Sequence, residues 1–304
     1  MISRRDFVSA GIAAGVGAAM TTSATGASRR ASSREKFKLH YAPHFGMFEQ
    51  HAADPLDQVR FAADNGFTAW EDNGMRGRSA EFQNAFAKVC EERGVRMGVF
   101  VAHGIEWSRP SLTTGDAGAR DKFVSEIRES VELAKRIKAT WCTVVPGTVE
   151  NRLPHGTQTA NLIEALKRAA DACEASGLIM CIEPLNWRDH PGLFVRFSDH
   201  AYAIMKAVGS PCCKILFDAY HQQATEGNLI ENIGRCWDEI AYFQVGDNPG
   251  RREPGTGEIN YRNVFARIRE RGFAGIVGME HGNAKPGKEG ELALIQAYRD
   301  ADSG

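Results

Sequence analysis

A single-domain (β/α)8 TIM barrel is the fold the sequence predicts for residues 37–304, and three observations lead to it. Eight apolar, β-rich runs alternate with segments of helical apolar spacing over about 265 residues, the usual size of one such barrel. Several helical segments end in glycine immediately before the next run, as a left-handed helix terminus requires. The first run lacks the glycine-rich phosphate fingerprint of an open doubly wound sheet, so eight units favour closure.

The runs follow in order. The first is 37–42, and Asp64-Asn65-Gly66-Phe67 ends the helix that leads into the second, 68–71. Phe82, Phe86, Val89 and Cys90 then share one helical face, and Glu92-Arg93-Gly94-Val95 opens the third run, 96–102. A long connection, 103–118, carries Trp107 and Pro110 and reads either as a partial cover of the barrel mouth or as a surface loop with no role. The fourth run is 140–145. Ala175-Ser176-Gly177-Leu178 leads into the fifth, 178–185, followed by 214–219 and 240–245. Glu270-Arg271-Gly272-Phe273 precedes the last, 275–279. Eight strands and eight helices in strict alternation are expected.

The N-terminus reads as a separate segment. Ser3-Arg4-Arg5-Asp6-Phe7-Val8 sets an arginine pair before a mild Ala/Gly-rich stretch, and Ala27 ends a region of small residues. Residues 1–27 read as a twin-arginine (Tat) signal peptide and 28–36 as a linker, which predicts a periplasmic mature protein without a membrane anchor. With 37 basic and 38 acidic residues, the chain has no electrostatic footprint for nucleic acid. A small-molecule ligand is expected, and a homo-oligomer is left open. Seven cysteines with no CxxC pair, mostly in apolar runs, read as small hydrophobes and not as a disulfide framework.

Barrel active sites lie at the C-terminal rim of the strands. The first strand delivers His44 there, the second Glu71 and Asp72, the third His103. Strands five to eight deliver Glu183, Asp218, Gln244 and Glu280, each behind a short apolar run. Three carboxylates in one dry site raise one another's pKa values unless a cation balances them. Carboxylate and amide oxygens suit one hard divalent metal ion, Mg²⁺ or Mn²⁺, with Co²⁺ as a further candidate.

The segments Cys181-Ile-Glu-Pro-Leu-Asn186, Phe217-Asp-Ala-Tyr-His-Gln222, Phe243-Gln244, Pro249-Gly-Arg-Arg-Glu-Pro-Gly-Thr-Gly-Glu-Ile-Asn-Tyr261 and Gly278-Met-Glu280 resemble the hydroxypyruvate isomerases. These belong to the wider xylose isomerase-like superfamily, which also holds ketose 3-epimerases and apurinic endonucleases. The resemblance implies that Glu183, Asp218, Gln244 and Glu280 bind the metal. It also implies that Glu183 and Glu280 exchange the proton of an enediolate mechanism acting on a sugar or keto acid. His221, Arg251, His103 and His44 are the candidate substrate contacts. Arg251 is suited either to a substrate carboxylate or to an ion pair with Glu253. Trp107, Trp187 and Phe45 are candidates either for stacking on the substrate or for ordinary aromatic packing, and Asn186 for orienting the rim. Strands one to three resemble that isomerase less, so the substrate is not fixed by it. A sugar 3-epimerase and a non-catalytic sugar-binding barrel are the alternative readings. The nuclease branch uses additional histidines for zinc, and strand seven carries Gln244 in place of one.

Overall fold

The computed structural model describes residues 35–304; the signal-peptide expectation and most of the linker lie outside these residues. The chain runs β1 (His40–Ala42), α1 (Pro55–Asp64), β2 (Ala69–Trp70), α2 (Ala80–Arg93), β3 (Arg96–Met97), α3 (Ala117–Ile137), β4 (Trp141–Val144) and α4 (His155–Glu174). It continues β5 (Ile179–Ile182), α5 (Ser198–Val208), β6 (Cys213–Asp218), α6 (Ala219–Thr225), α7 (Leu229–Cys236), β7 (Ile240–Gln244), α8 (Tyr261–Glu270), β8 (Ile276–Gly278) and α9 (Gly287–Asp302).

Six strands form a parallel sheet in the order β1-β8-β7-β6-β5-β4, and β2 pairs with β3. One backbone bond at one seam and a pair of them at the other close the ring. The amide of Glu71 donates to the Pro43 carbonyl at 2.9 Å, joining β2 to β1. Thr143 donates to Phe100 at 2.8 Å and accepts from Ala102 at 3.0 Å, joining β3 to β4. The expected β2 and β3 runs are longer than the observed strands because pairing at these seams is confined to such isolated bonds.

The described residues hold nine α-helices, one more than expected, because two follow β6. Gly227 (φ 63°) and Asn228 (φ 48°) take the left-handed conformation between them and break the segment in two. The predicted helix-terminating glycines all have positive φ, Gly94 forming the cap of α2 at φ 64°. None of the described helices is long and apolar enough to cross a membrane.

One buried residue from each stave fills the lumen: Ala42, Ala69, Val99, Trp141, Cys181, Leu216, Tyr242 and Ile276. A larger apolar shell lies between strands and helices. All seven cysteines are buried and free. Strand side chains alternate with a period of two. The next inward positions above the lumen layer are therefore His44, Glu71, Val101, Thr143, Glu183, Asp218, Gln244 and Gly278, with Glu280 two residues further along.

Candidate active site

Glu183, Asp218, His221 and Glu280 each bring an oxygen or ring nitrogen to within 4.8 Å of the others. Asp218 ends β6 and caps α6, its Oδ1 accepting from the Tyr220 amide at 2.8 Å, so its carboxylate is fixed by backbone. His221 lies in the first turn of that helix, which swings its ring over the same point. Gln244, predicted with the metal set, stands beside them at the end of β7. Its Oε1 is buried and makes no hydrogen bond, while its Nε2 donates to Glu71 Oε1 at 3.4 Å.

The sequence places no arginine at the ends of strands five, six or eight, yet a guanidinium occupies this cluster. Arg251 sits in the β7–α8 loop at φ 50°, and its Nε donates to the Glu280 carbonyl at 3.0 Å. Its Nη2 donates to Glu280 Oε2 at 2.6 Å and to Asp218 Oδ2 at 3.0 Å, and its guanidinium lies 4.8 Å from the centre of the Tyr220 ring. The alternative pairing with Glu253 is not made among the described residues; Glu253 accepts from the Ala284 amide instead. Asn73 donates to the other oxygen of Glu280 at 2.9 Å.

Burial pushes the Glu183 carboxyl well above its ordinary range, Glu280 and Asp218 push it further, and Arg251 opposes them. Burial likewise raises Glu280 to about 7 against the pull of Arg251, and raises Asp218. Burial and then Arg251 lower His221, which therefore supplies no charge. One guanidinium faces three site acids, with Glu71 buried below them. The shortage of positive charge and the unpartnered Gln244 oxygen both fit a hard divalent cation held by Glu183, Asp218, Gln244 and Glu280.

A pH test follows from Glu280. A carboxyl whose pKa is higher folded than unfolded binds its proton more tightly when folded. Its favourable contribution is complete below the ordinary value of 4.5 and lost as pH rises through about 7. Glu280→Gln should therefore gain several °C of thermal stability relative to the metal-free wild type on going from pH 5 to pH 8. Melts at the two values check this, and a pH-independent difference would contradict it.

Glu71, at the rim of the second strand, is buried beside the site. It crosses the lumen under the site, accepting from Tyr242 Oη at 2.9 Å, and burial followed by Glu280 raises it strongly. Gly278 makes room for it, since a Cβ there would run into the Glu71 carboxylate. Gly278→Ala should cost about 1–3 kcal/mol by overpacking, read in denaturant melts. A neutral result would mean that Glu71 can move aside.

The other candidates sit apart from the cluster. His103 is buried, its Nε2 accepts from the Val145 amide at 3.3 Å, and desolvation lowers it to about 4. The ring nitrogens of His44 face the carbonyls of Phe45 and His281 at 2.9 and 3.1 Å. Phe45 packs on Trp70 with Arg78 above it, and Trp187 lies under Arg196. Trp107, half exposed, stacks on His190, whose ring lies 5.4 Å from His221; the long β3–α3 connection thus reaches the site.

The family model described as xylose isomerase-like TIM barrel matches residues 59–300. The 2-oxo-tetronate isomerase of Cupriavidus necator is 29% identical over 256 residues, covering 83% of this chain and 95% of that protein. The hydroxypyruvate isomerase of Escherichia coli is 32% identical over 214 residues, covering 66% of this chain and 82% of that one. A family 2 AP endonuclease from Brucella melitensis has the same fold, with TM-score 0.74 at 24% identity over 86% of this chain and 99% of that one. The chain belongs to the xylose isomerase-like TIM barrel family.

Proposed function

We propose that this isomerase moves a carbonyl between adjacent carbons of a short 2-oxo acid such as hydroxypyruvate or 2-oxo-tetronate. Hydroxypyruvate would become tartronate semialdehyde. The carrying observation is the set of carboxylates around one point, Glu183 and Asp218 buried and Glu280 half-buried, with Glu183 just beyond β5 and Glu280 beyond β8, two staves standing between them. A divalent cation held by Glu183, Asp218, Gln244 and Glu280 would withdraw charge from the substrate's carbonyl and hydroxyl oxygens and acidify the intervening C–H.

The chain's own residues then have distinct tasks. One of the two glutamates removes the C–H proton and a carboxylate returns one to the neighbouring carbon, while the hydroxyl proton passes to the former carbonyl oxygen, so that the old hydroxyl carbon becomes the carbonyl and the old carbonyl the hydroxyl. Raised pKa values suit both groups to hold a proton between the two steps. Arg251 uses Nε and Nη2 on the protein, and its Nη1 makes none of those bonds, which suits it to a substrate carboxylate. His221 addresses a substrate oxygen.

A panel of short 2-oxo acids, aldoses and ketoses with Mg²⁺, Mn²⁺ or Co²⁺, followed by proton NMR in D₂O, tests this. Isomerisation with solvent deuterium entering at the carbon next to the carbonyl is expected for a 2-oxo acid. Absence of both turnover and exchange across the panel would overturn the reading. Inversion at one carbon without carbonyl migration would assign an epimerase. We further propose, from the arginine pair and the small-residue segment after it, that the mature protein works in the periplasm after Tat export. A signal-dependent reporter fusion that stays cytoplasmic would refute that.

A further inference from the structure

Asn186 follows Glu183 by three residues, and its side chain is oriented by two partners of fixed polarity. The Asp189 main-chain N–H donates to Asn186 Oδ1 at 2.8 Å, and Asp189 Oδ2 accepts from Asn186 Nδ2 at 3.2 Å. Tyr220 Oη holds the same Asp189 oxygen, donating at 2.7 Å. Turning the amide round would set NH₂ against N–H and oxygen against oxygen, losing both bonds. The second hydrogen of Nδ2 therefore points at His221 Nδ1, 2.6 Å away, and the Asn186 main-chain N–H addresses that atom at 3.4 Å.

A ring nitrogen that receives N–H groups presents its lone pair, and a neutral imidazole then carries its single proton on the other nitrogen. We propose that Asn186, held by Asp189 and Tyr220, is a positioning residue that fixes His221 as the Nε2–H tautomer. The ring then offers the site a hydrogen-bond donor and no metal-binding lone pair. Nε2 faces oxygens accordingly, 3.4 Å from Asp218 Oδ2 and 3.8 Å from Glu183 Oε1. Its 3.1 Å approach to Arg251 Nη2 is a meeting of two donors that converge on Asp218, not a bond between them.

This decides between two ligand sets. His221 is near enough to the three carboxylates to be counted as a ligand, but a protonated Nε2 cannot serve, and Gln244 Oε1 takes the fourth place. For the reaction, the same proton is a donor for a substrate oxygen, a consequence that rests on the proposed function.

Histidine-selective ¹⁵N labelling of the full chain, metal-free and without substrate, reads the tautomer from long-range proton–nitrogen correlations. His221→Gln identifies the signal by its loss. The wild type should show a protonated Nε2 and a bare Nδ1, and Zn²⁺ should leave the Nε2 proton in place. Asn186→Asp, which sets an acceptor oxygen against Nδ1, should move the proton there and shift the tautomer ratio at least tenfold. Tyr220→Phe, which only loosens Asp189, should give a mixture if Asn186→Asp does not fold. A wild type protonated on Nδ1, loss of the Nε2 proton on adding Zn²⁺, or a ratio unmoved by folded variants would overturn the proposal. A wild type that shows Nε2–H but turns over no 2-oxo acid would count against the proposed reaction and leave the tautomer standing.

Discussion

Replacing Glu183 by Gln, or Glu280 by Gln, is expected to lower isomerisation by about 10²–10⁴-fold, and the variant that lacks the first base is expected to lose solvent exchange of the substrate C–H as well. The amide keeps the shape and an oxygen for a cation but cannot take up a proton. The two variants should therefore fold and lose kcat far more than they raise KM. Because the glutamates lie beyond different staves, with two staves between them, each approaches the substrate from its own direction. Retention of exchange in one variant, with carbonyl migration lost, would identify the other glutamate as the first base. Unchanged turnover in both would sink the carboxylate mechanism. Steady-state kinetics and NMR exchange on the same preparations make the measurement.

Arg251→Gln is expected to destabilise the metal-free protein by about 3 kcal/mol, the lower end for breaking a partly buried pair, or roughly 6–12 °C in Tm. The substitution leaves Asp218 and Glu280 without the cation that contacts both. A divalent ion and the guanidinium address the same oxygens. Saturating Mn²⁺ should therefore recover most of that loss, and the variant should bind Mn²⁺ more tightly than the wild type. Equal destabilisation with and without Mn²⁺ would show that the arginine's contribution is mere packing. By the same reasoning, chelation should stop turnover in the wild type without unfolding it.

The barrel and its acidic rim were legible because both follow from short-range periodicity. Period-two alternation places Cys181 and Glu183, Leu216 and Asp218, Tyr242 and Gln244 on one inward line each. The seams were not legible, since the short β2 and β3 depend on isolated bonds to Pro43 and Thr143 that no local pattern encodes. Arg251 was named as a substrate contact, but its place among the carboxylates depends on a left-handed backbone in a loop closed by Asp247, which accepts from Asn248, Gly255 and Ile259. The hold on His221 was hidden for a related reason. Asn186 and Asp189 show a polar spacing, but only the packing of α6 against the β5–α5 loop brings Tyr220 and His221 to them.

The seven free thiols make the protein its own stopwatch for opening. Burial raises Cys90 and Cys173 to about 12 and Cys236 to about 11, so little thiolate meets an alkylating reagent while the chain is closed. The residues are spread over α2, β4, α4, β5, the start of β6 and the end of α7. Each mass increment then dates the exposure of one layer, with Cys181, pointing into the lumen, waiting for the ring itself to part.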